Sequence, residues 1–357
     1  MEYLIEYGMF LAKAATIVLA TLLIIGSIAA AGQRQRREPR KGRIKVTRLN
    51  DHIDEMRDTL REEVLEKGAF KLLSKKERKR LKAEQKARIK ELKAHMKEEG
   101  DADEERKPRV YVLNFKGNIA ADAVASLREE ITAVLTMAQG SDEVLVRLES
   151  PGGMVHSYGL AASQLTRIKN QQIPLTVCVD KVAASGGYMM ACLADKLVAA
   201  PFAVIGSIGV LVQLPNFNRV LRKYDVDYEM ISAGEYKRTL TSFGEITKKG
   251  RDKVQEDVET IHQIFKDWVK NHRPSVDIDK VATGETWLGS QAKERYMVDD
   301  IRTSDECIVT ACEAADVFEV EFELKKSLQD KLGKAFASSM EHVFQRLFKS
   351  PNEENYQ

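Results

Sequence analysis

The segment 182–188, which reads VAASGGY, contains the strongest candidate for chemistry in this sequence. Ser185 lies between Ala184 and Gly186, where a predicted strand meets a helix-forming segment, so its hydroxyl is accessible and free backbone N–H groups lie beside it. A nucleophile in acyl transfer needs this arrangement, because the oxyanion that forms must meet preorganised donors. Small residues at such a junction also let a helix pack closely on a sheet, and the segment alone favours neither interpretation.

Two consecutive glycines in the segment 150–153, which reads SPGG, follow another predicted strand. Glycines at a strand end let the backbone approach a ligand closely and direct an N–H group at it, although a plain turn has the same composition. Together with the serine segment, they predict an oxyanion hole whose donors are the N–H groups of Gly153 and Gly186.

A serine nucleophile needs a base, and the six histidines offer poor support for a Ser-His-Asp triad. His156 lies near Gly153 in the sequence, but no neighbouring carboxylate is suggested that would orient its ring. Lys237 is the alternative base, because it follows a predicted strand at 226–232 and has small and aromatic neighbours. A lysine base must be neutral, which requires burial or a cationic neighbour. Most lysines lie at the surface, so composition alone does not select this one.

The elements around these segments predict an α/β fold with largely parallel strands, because short apolar runs alternate with helical patterns. The predicted order is strand 109–115, helix 122–137, strand 143–148, helix 157–170, strand 174–179 and, further along, helix 247–272.

Composition excludes wholesale disorder, because 43% of the 357 residues are hydrophobic and 31% are charged. Residues 33–107 contain 25 Lys and Arg against 17 Asp and Glu, a net charge of +8. Residues 108–357 contain 30 against 35, a net charge of −5, so a basic segment precedes an acidic globular body. Four cysteines in a chain of this length do not form a disulfide framework, and no metal or organic cofactor is implied.

Residues 14–32 form an uncharged run that is about long enough to cross a membrane. A buried core helix would have a polar stripe, which this run lacks. The alanines at 29–31 would suit a signal-peptide cleavage site, but residues 1–8 contain two Glu and no basic residue. We therefore predict an uncleaved anchor at 1–32. The Lys and Arg cluster at 34–45 predicts a cytoplasmic body by the positive-inside rule.

After the predicted anchor, the composition of the chain changes from a highly charged segment to a domain with apolar strands and helices. Residues 33–107 predict a charged, largely helical stalk, which would lie near anionic lipid headgroups or pair with a second copy. A nucleic-acid-binding arm at 75–90 is the less favoured alternative, because no aromatic residue is interleaved there to stack on a base. The candidate catalytic domain is predicted at 108–348, with a frayed tail at 349–357.

Four ordered motifs together resemble the bacterial signal peptide peptidase family of serine peptidases. They are SPGG at 150–153, VAASGGY at 182–188, GSIGV at 206–210 and GEYK at 234–237. The resemblance covers essentially the whole chain and implies a ClpP/crotonase-like ββα spiral, preceded here by a transmembrane helix and the charged stalk. It also implies a Ser/Lys dyad of Ser185 and Lys237, with Ser207 orienting the lysine amine. The oxyanion donors of the family correspond to Gly153 and Gly186.

The same resemblance implies a function and a setting. We expect a membrane-anchored serine endopeptidase of the bacterial inner membrane that hydrolyses apolar, extended polypeptides, such as signal peptides or misfolded envelope proteins. A homo-oligomer is expected, with no cofactor and no nucleic-acid partner. The longer family members place this domain outside the cytoplasm, in conflict with the positive-inside rule. The alternative functions are a non-proteolytic membrane scaffold or inactive relative and, less favoured, a crotonase-type acyl-CoA enzyme.

One departure from the family pattern concerns a turn late in the domain. Tyr296 stands where family members often have a glycine. The substitution raises a question about the local turn geometry but not about the dyad.

Overall fold

The computed structural model describes residues 42–65, 79–80, 82–83, 86–87, 89–90 and 106–324. One compact unit is Ile44–Phe322, and the described residues at 42–43 and 323–324 belong to a second unit. The predicted anchor at 1–32 and the predicted tail at 349–357 lie outside the described residues. Within the described part of the chain, no helix is both long enough and apolar enough to cross a membrane.

The fold is mixed α/β and contains two sheets. The strands are β1 Gly42–Arg48, β2 Arg109–Lys116, β3 Glu143–Glu149, β4 Leu175–Val179, β5 Val182–Ala184, β6 Lys196–Ala199, β7 Val204–Gly206, β8 Thr286–Leu288, β9 Asp300–Ile301 and β10 Asp316–Leu324. The main sheet has the order β1-β10-β2-β3-β4-β6-β9, and its pairings from β10 to β9 are parallel, as predicted. The second sheet has the order β5-β7-β8, in which β5 and β7 are parallel and β8 is antiparallel to β7.

Helices connect most of these strands. Their bounds are α1 Leu49–Val64, α2 Val124–Leu135, α3 Val155–Asn170, α4 Gly186–Ala191, α5 Asn218–Lys223, α6 Lys248–His272, α7 Ile278–Val281, α8 Gly289–Glu294 and α9 Ser304–Ala314. The start of α6 is capped by Thr247, whose Oγ accepts a hydrogen bond from the Gly250 N–H. A capping box of Thr303 and Glu306 starts α9. Both helices therefore begin where a side chain satisfies an N–H group of the first turn.

Apolar side chains hold the main sheet from both faces. One row crosses four strands, with Leu113 opposite Val146, Val146 opposite Val177, and Val177 opposite Leu197. All four side chains are fully buried in the larger core, beneath α2, α3, α4 and α6. The opposite face packs against α1 and α9 in a smaller core that includes Ile308. Burial on both faces explains why these strands are nearly continuous apolar runs.

The predicted order of elements is largely confirmed. The strands predicted at 109–115, 143–148 and 174–179 and the helices predicted at 122–137, 157–170 and 247–272 are present, with shifts of a few residues at their ends. The predicted strand at 226–232 is wrong, because these residues form an irregular, exposed segment. Val226, Tyr228 and Met230 do alternate with polar residues, but no described strand pairs with them. Alternation produces a strand only where a sheet edge accepts its backbone hydrogen bonds.

Strand β1 is an edge strand of the main sheet, although the sequence places it in the charged stalk at 33–107. Its basic side chains meet the acidic side chains of β10. Lys45 forms an ion pair with Glu321 at 3.5 Å, and Arg48 forms one with Asp316 at 2.7 Å. Helix α1 follows β1, as the helical pattern of this segment predicts.

The turn at Tyr296 has the geometry that a glycine would adopt. Tyr296 has a φ of +58°, directly after the end of α8. Its N–H donates to the carbonyl of Lys293 at 3.0 Å, and the next N–H, of Met297, donates to the carbonyl of Ala292 at 3.0 Å. This is the hydrogen-bond pattern of a left-handed helix cap, so the tyrosine preserves the turn at the cost of a strained backbone.

Candidate active site

Ser185 occupies a strained turn between β5 and α4. Its backbone has φ +51° and ψ −118°, a conformation that costs of order 1–3 kcal/mol for a residue other than glycine. The Ser185 N–H donates to the carbonyl of Gly206 at 2.8 Å, which fixes the turn to β7. The side chain is half-buried, and among the described residues its hydroxyl has no hydrogen-bond partner. A strand-to-helix turn of this kind presents a serine hydroxyl to a substrate.

The loop 150–153 lies directly against this turn. The Ser150 N–H donates to the carbonyl of Val182 at 2.8 Å, and the Ala184 N–H donates to the carbonyl of Ser150 at 3.0 Å. Gly152 has a φ of +88°, and a Cβ atom there would lie 2.7 Å from the Ser185 Cβ. Only glycine permits this approach. We call the segments 150–153 and 184–187 the serine loops.

Gly153 and Gly186 present N–H groups that have no acceptor among the described residues. Both positions exclude a side chain. A Cβ atom on Gly153 would lie 2.1 Å from the carbonyl oxygen of Ile119, and one on Gly186 would lie 2.3 Å from Cγ of Tyr158. The structure therefore brings the two predicted oxyanion donors into adjacent loops beside Ser185.

Ser207 lies in the turn next to Ser185. It follows β7, where Gly206 pairs with Ala184 of β5, so the two serines leave neighbouring strands at the same level. Ser207 also has a φ of +51°, and its N–H donates to the carbonyl of Glu285 at 2.6 Å.

Lys237 is not brought to the serines in the same way. It lies between β7 and α6 in residues 209–247, which are irregular apart from the short helix α5 and which we call the lysine segment. Its side chain is exposed and borders a cavity of about 640 Å³ that is lined only by residues 214–243. Among the described residues, no hydrogen bond joins Lys237 to Ser185 or Ser207.

The other candidate base has no supporting geometry. His156 is exposed in the first turn of α3, and no described side chain bonds to its ring. The carboxylate next to the serine loops in sequence is Glu149, which accepts hydrogen bonds from Lys116 and Lys181 at 3.2 and 3.1 Å. These bonds, chiefly that from Lys181, hold the pKa of Glu149 below its ordinary value. The described residues contain no cluster of His, Cys, Asp and Glu that could hold a metal ion.

The sequence does not single out Tyr158, whose hydroxyl lies 2.6 Å from Ser150 Oγ beneath the serine loops. A single tyrosine within a helical pattern has no distinguishing signal, because its contacts with Asn118 and Gly186 come from segments distant along the chain. Burial raises its pKa, and the bond to Ser150 opposes this shift.

Comparisons with known proteins identify relatives of the whole chain. Residues 2–165 match the family description "Peptidase family S49 N-terminal", and residues 167–318 match "Peptidase family S49". The chain is 46% identical to "Probable protease SohB" of Haemophilus influenzae, over 97% of this chain and 96% of that protein. It is 29% identical to "Putative signal peptide peptidase SppA" of Enterococcus faecium, over 46% of this chain and 48% of that protein.

A solved structure is also similar to the chain. It is the K138A mutant of the 1510-N membrane-bound stomatin-specific protease in complex with a substrate peptide, with a TM-score of 0.41 and 16% sequence identity. The similarity covers 65% of this chain and 99% of that chain.

Proposed function

The chain belongs to peptidase family S49 and is a serine peptidase, and from that membership we propose that Ser185 is its nucleophile and Lys237 its general base. The family resemblance of the four motifs is thereby confirmed. The observation that carries the proposal is the strained turn at Ser185. Within the part of the chain that the structure describes, its hydroxyl has no hydrogen-bond partner, and the N–H groups of Gly153 and Gly186 beside it have no acceptor. This is the arrangement that acyl transfer requires.

In the proposed reaction, the neutral Lys237 amine takes the Ser185 proton while Oγ attacks a peptide carbonyl carbon. The oxyanion accepts hydrogen bonds from the N–H groups of Gly153 and Gly186. The protonated lysine then donates its proton to the leaving amine, which completes the acyl-enzyme. Water hydrolyses the acyl-enzyme with Lys237 acting again as base, and Ser207 orients the lysine amine throughout.

The exposed apolar side chains of the lysine segment support the proposal of a homo-oligomer. Leu211, Tyr224 and Ile231 are 73%, 70% and 91% exposed, and further apolar side chains lie between them. An exposed surface of this kind marks an interface in soluble domains. Its burial against a second copy would also desolvate Lys237 and so favour the neutral amine that the reaction needs.

Apolar side chains at the serine loops support a preference for apolar, extended polypeptides. Ile119, Met154 and Val155 are 68%, 48% and 43% exposed and lie next to Gly153, one of the proposed oxyanion donors. They provide an apolar surface within reach of a scissile peptide bond. Signal peptides and misfolded envelope proteins expose such sequences.

We also propose that the domain has the ClpP/crotonase-like ββα spiral. The alternation of parallel strands and helices supports it, as does the separation of β5, β7 and β8 into a second sheet that carries Ser185. A membrane anchor at 1–32 and an inner-membrane location remain proposals from the uncharged run at 14–32.

The dyad is tested by casein or signal-peptide cleavage with the full chain. We expect Ser185→Ala and Lys237→Met each to lower kcat by at least about 10³-fold, and the double variant to be no less active than either, because the two groups act as a unit. Lys223→Met, another lysine of the same segment, is the matched control and should retain activity.

Labelling by a fluorophosphonate provides a second readout, and the label should be lost in Ser185→Ala. Persistent labelling of that variant would remove Ser185 from the nucleophile role. Normal cleavage by Lys237→Met would place the base elsewhere, and His156 would then be tested.

A further inference from the structure

Ser150, the first residue of one serine loop, forms a hydrogen-bonded pair with Tyr158, and both side chains are completely buried. The Tyr158 hydroxyl donates to the carbonyl of Asn118 at 2.8 Å and lies 2.6 Å from Ser150 Oγ. Since the single phenolic proton points to Asn118, the Ser150 hydroxyl must donate to Tyr158. Ser150 Oγ in turn accepts from the Gly152 N–H at 3.1 Å. The four groups form one chain of hydrogen bonds in which every proton has an acceptor.

This chain of hydrogen bonds holds Gly153 from two sides. On one side it fixes Gly152, whose φ of +88° turns the backbone into Gly153. On the other side it fixes Asn118, and the next residue, Ile119, accepts a hydrogen bond from the Met154 N–H at 2.9 Å. The direction of the Gly153 N–H is therefore set by the residues before and after it.

The same tyrosine contacts the second oxyanion donor. The ring of Tyr158 packs against Gly186, where an added Cβ atom would lie 2.3 Å from Cγ of the ring. Gly117 leaves room for the pair, because a Cβ atom there would lie 2.4 Å from the Tyr158 hydroxyl and 2.6 Å from Ser150 Oγ. One buried side chain thus touches both loops that supply the donors.

We propose that Tyr158 and Ser150 are positioning residues that align the N–H groups of Gly153 and Gly186 on the oxyanion. The inference rests on the proposed function of Ser185. Two buried hydroxyls are costly unless both are hydrogen-bonded, and the benefit here is a fixed geometry at the loops above them. Burial also raises the pKa of Tyr158, which favours the neutral phenol that donates to Asn118.

Loss of either hydroxyl should affect the transition state more than the bound substrate. The negative charge on the carbonyl oxygen develops only as Ser185 attacks, so misaligned donors lower kcat while KM changes little. If the donors move by up to about one ångström, we expect kcat to fall about 10- to 100-fold.

The experiment measures kcat and KM of the full chain on a fluorogenic apolar peptide, for Tyr158→Phe and Ser150→Ala. Two variants that lose a buried hydroxyl elsewhere are the matched controls. Tyr188→Phe loses the bond from Tyr188 to the carbonyl of Met297, and Ser304→Ala loses the bond from Ser304 to Asp180. We expect kcat to fall about 10- to 100-fold in the first two variants, with KM within about twofold of wild type. In the two controls, kcat should stay at the wild-type value.

Inhibition by a peptide aldehyde gives a second readout, because the hemiacetal formed with Ser185 places an oxyanion between the same donors. In Tyr158→Phe and Ser150→Ala, the inhibition constant of the aldehyde should rise by the same factor by which kcat falls. A wild-type kcat in Tyr158→Phe, or a change in KM alone, would overturn the inference. If Tyr158→Phe does not fold, Ser150→Ala decides by the same two measurements. Activity retained in Ser185→Ala would instead show failure of the proposed function.

Discussion

The two halves of the proposed dyad lie in regions with opposite packing. Around Ser185, hydrogen bonds join the serine loops to β5 and β7, and an added Cβ atom at Gly152, Gly153 or Gly186 would collide with neighbouring backbone or a ring. The lysine segment is exposed along most of its length. Among the described residues, its hydrogen bonds join it only to itself and to the first turn of α6, as between Asn216 and Thr241 or Glu235 and Lys249.

The lysine segment does have some internal order. The rings of Phe217 and Tyr228 each pack against Phe243, with centroid distances of 6.1 and 5.8 Å. This cluster holds the segment together but leaves Lys237 in solvent. The difference teaches that the packing of one chain places the proposed oxyanion donors beside Ser185, whereas among the described residues no hydrogen bond joins Lys237, the proposed base, to that serine.

Among variants that leave the proposed dyad intact, the largest expected effect comes from breaking the close packing of the serine loops. Gly152→Ala would place a Cβ atom 2.7 Å from the Ser185 Cβ, so the loops must separate. We expect kcat to fall by about 10²–10³-fold, as when an oxyanion donor is lost. Gly284→Ala is the control, because Gly284 has a similar φ of +85° but open space around it. It should lose stability and keep kcat, and equal loss of kcat in both variants would contradict this account.

A smaller effect is expected from a charge placed on the lysine segment. Ile231→Glu introduces a carboxylate at a side chain that is 91% exposed, so the fold of the single chain should be unaffected. If a second copy covers this surface, the oligomer should dissociate in light scattering and activity should fall about 10- to 100-fold. Val309→Glu, at an exposed position on α9, is the control. Unchanged mass and activity in Ile231→Glu would show that this surface is not the interface.

The smallest effect concerns backbone strain and has opposite signs in the two regions. At Ser185, where φ is +51°, the glycine variant should be more stable than the alanine variant by about 1 kcal/mol. At Lys237, whose φ is not positive, the alanine variant should be the more stable one by about 0.4–1 kcal/mol. Thermal unfolding of the four variants measures both differences. The same order at both positions would argue against strain at the nucleophile.

Much of the fold around the serine loops follows from local patterns. The strands at 109–115, 143–148 and 174–179 are confirmed because buried parallel strands are continuous apolar runs bounded by turns. Strand β10 is not such a run, because acidic residues alternate with apolar ones along it. Its place in the sheet comes from its neighbours β1 and β2. The error at 226–232 has the same origin, because an alternating pattern does not reveal whether a partner strand exists.

The sequence by itself determined the chemistry available at the serine loops. Where φ is positive, or where a Cβ atom would collide with a neighbour, the chain needs glycine or another small residue at that position. This requirement is visible in the SPGG and VAASGGY motifs. Only the tertiary structure decided which side chains hold those motifs in place and which side chains do not contact them. It joined Tyr158 to Asn118 and Gly186 and left Lys237 exposed, because contacts between segments distant along the chain depend on packing in three dimensions, which residue types and spacing alone do not show.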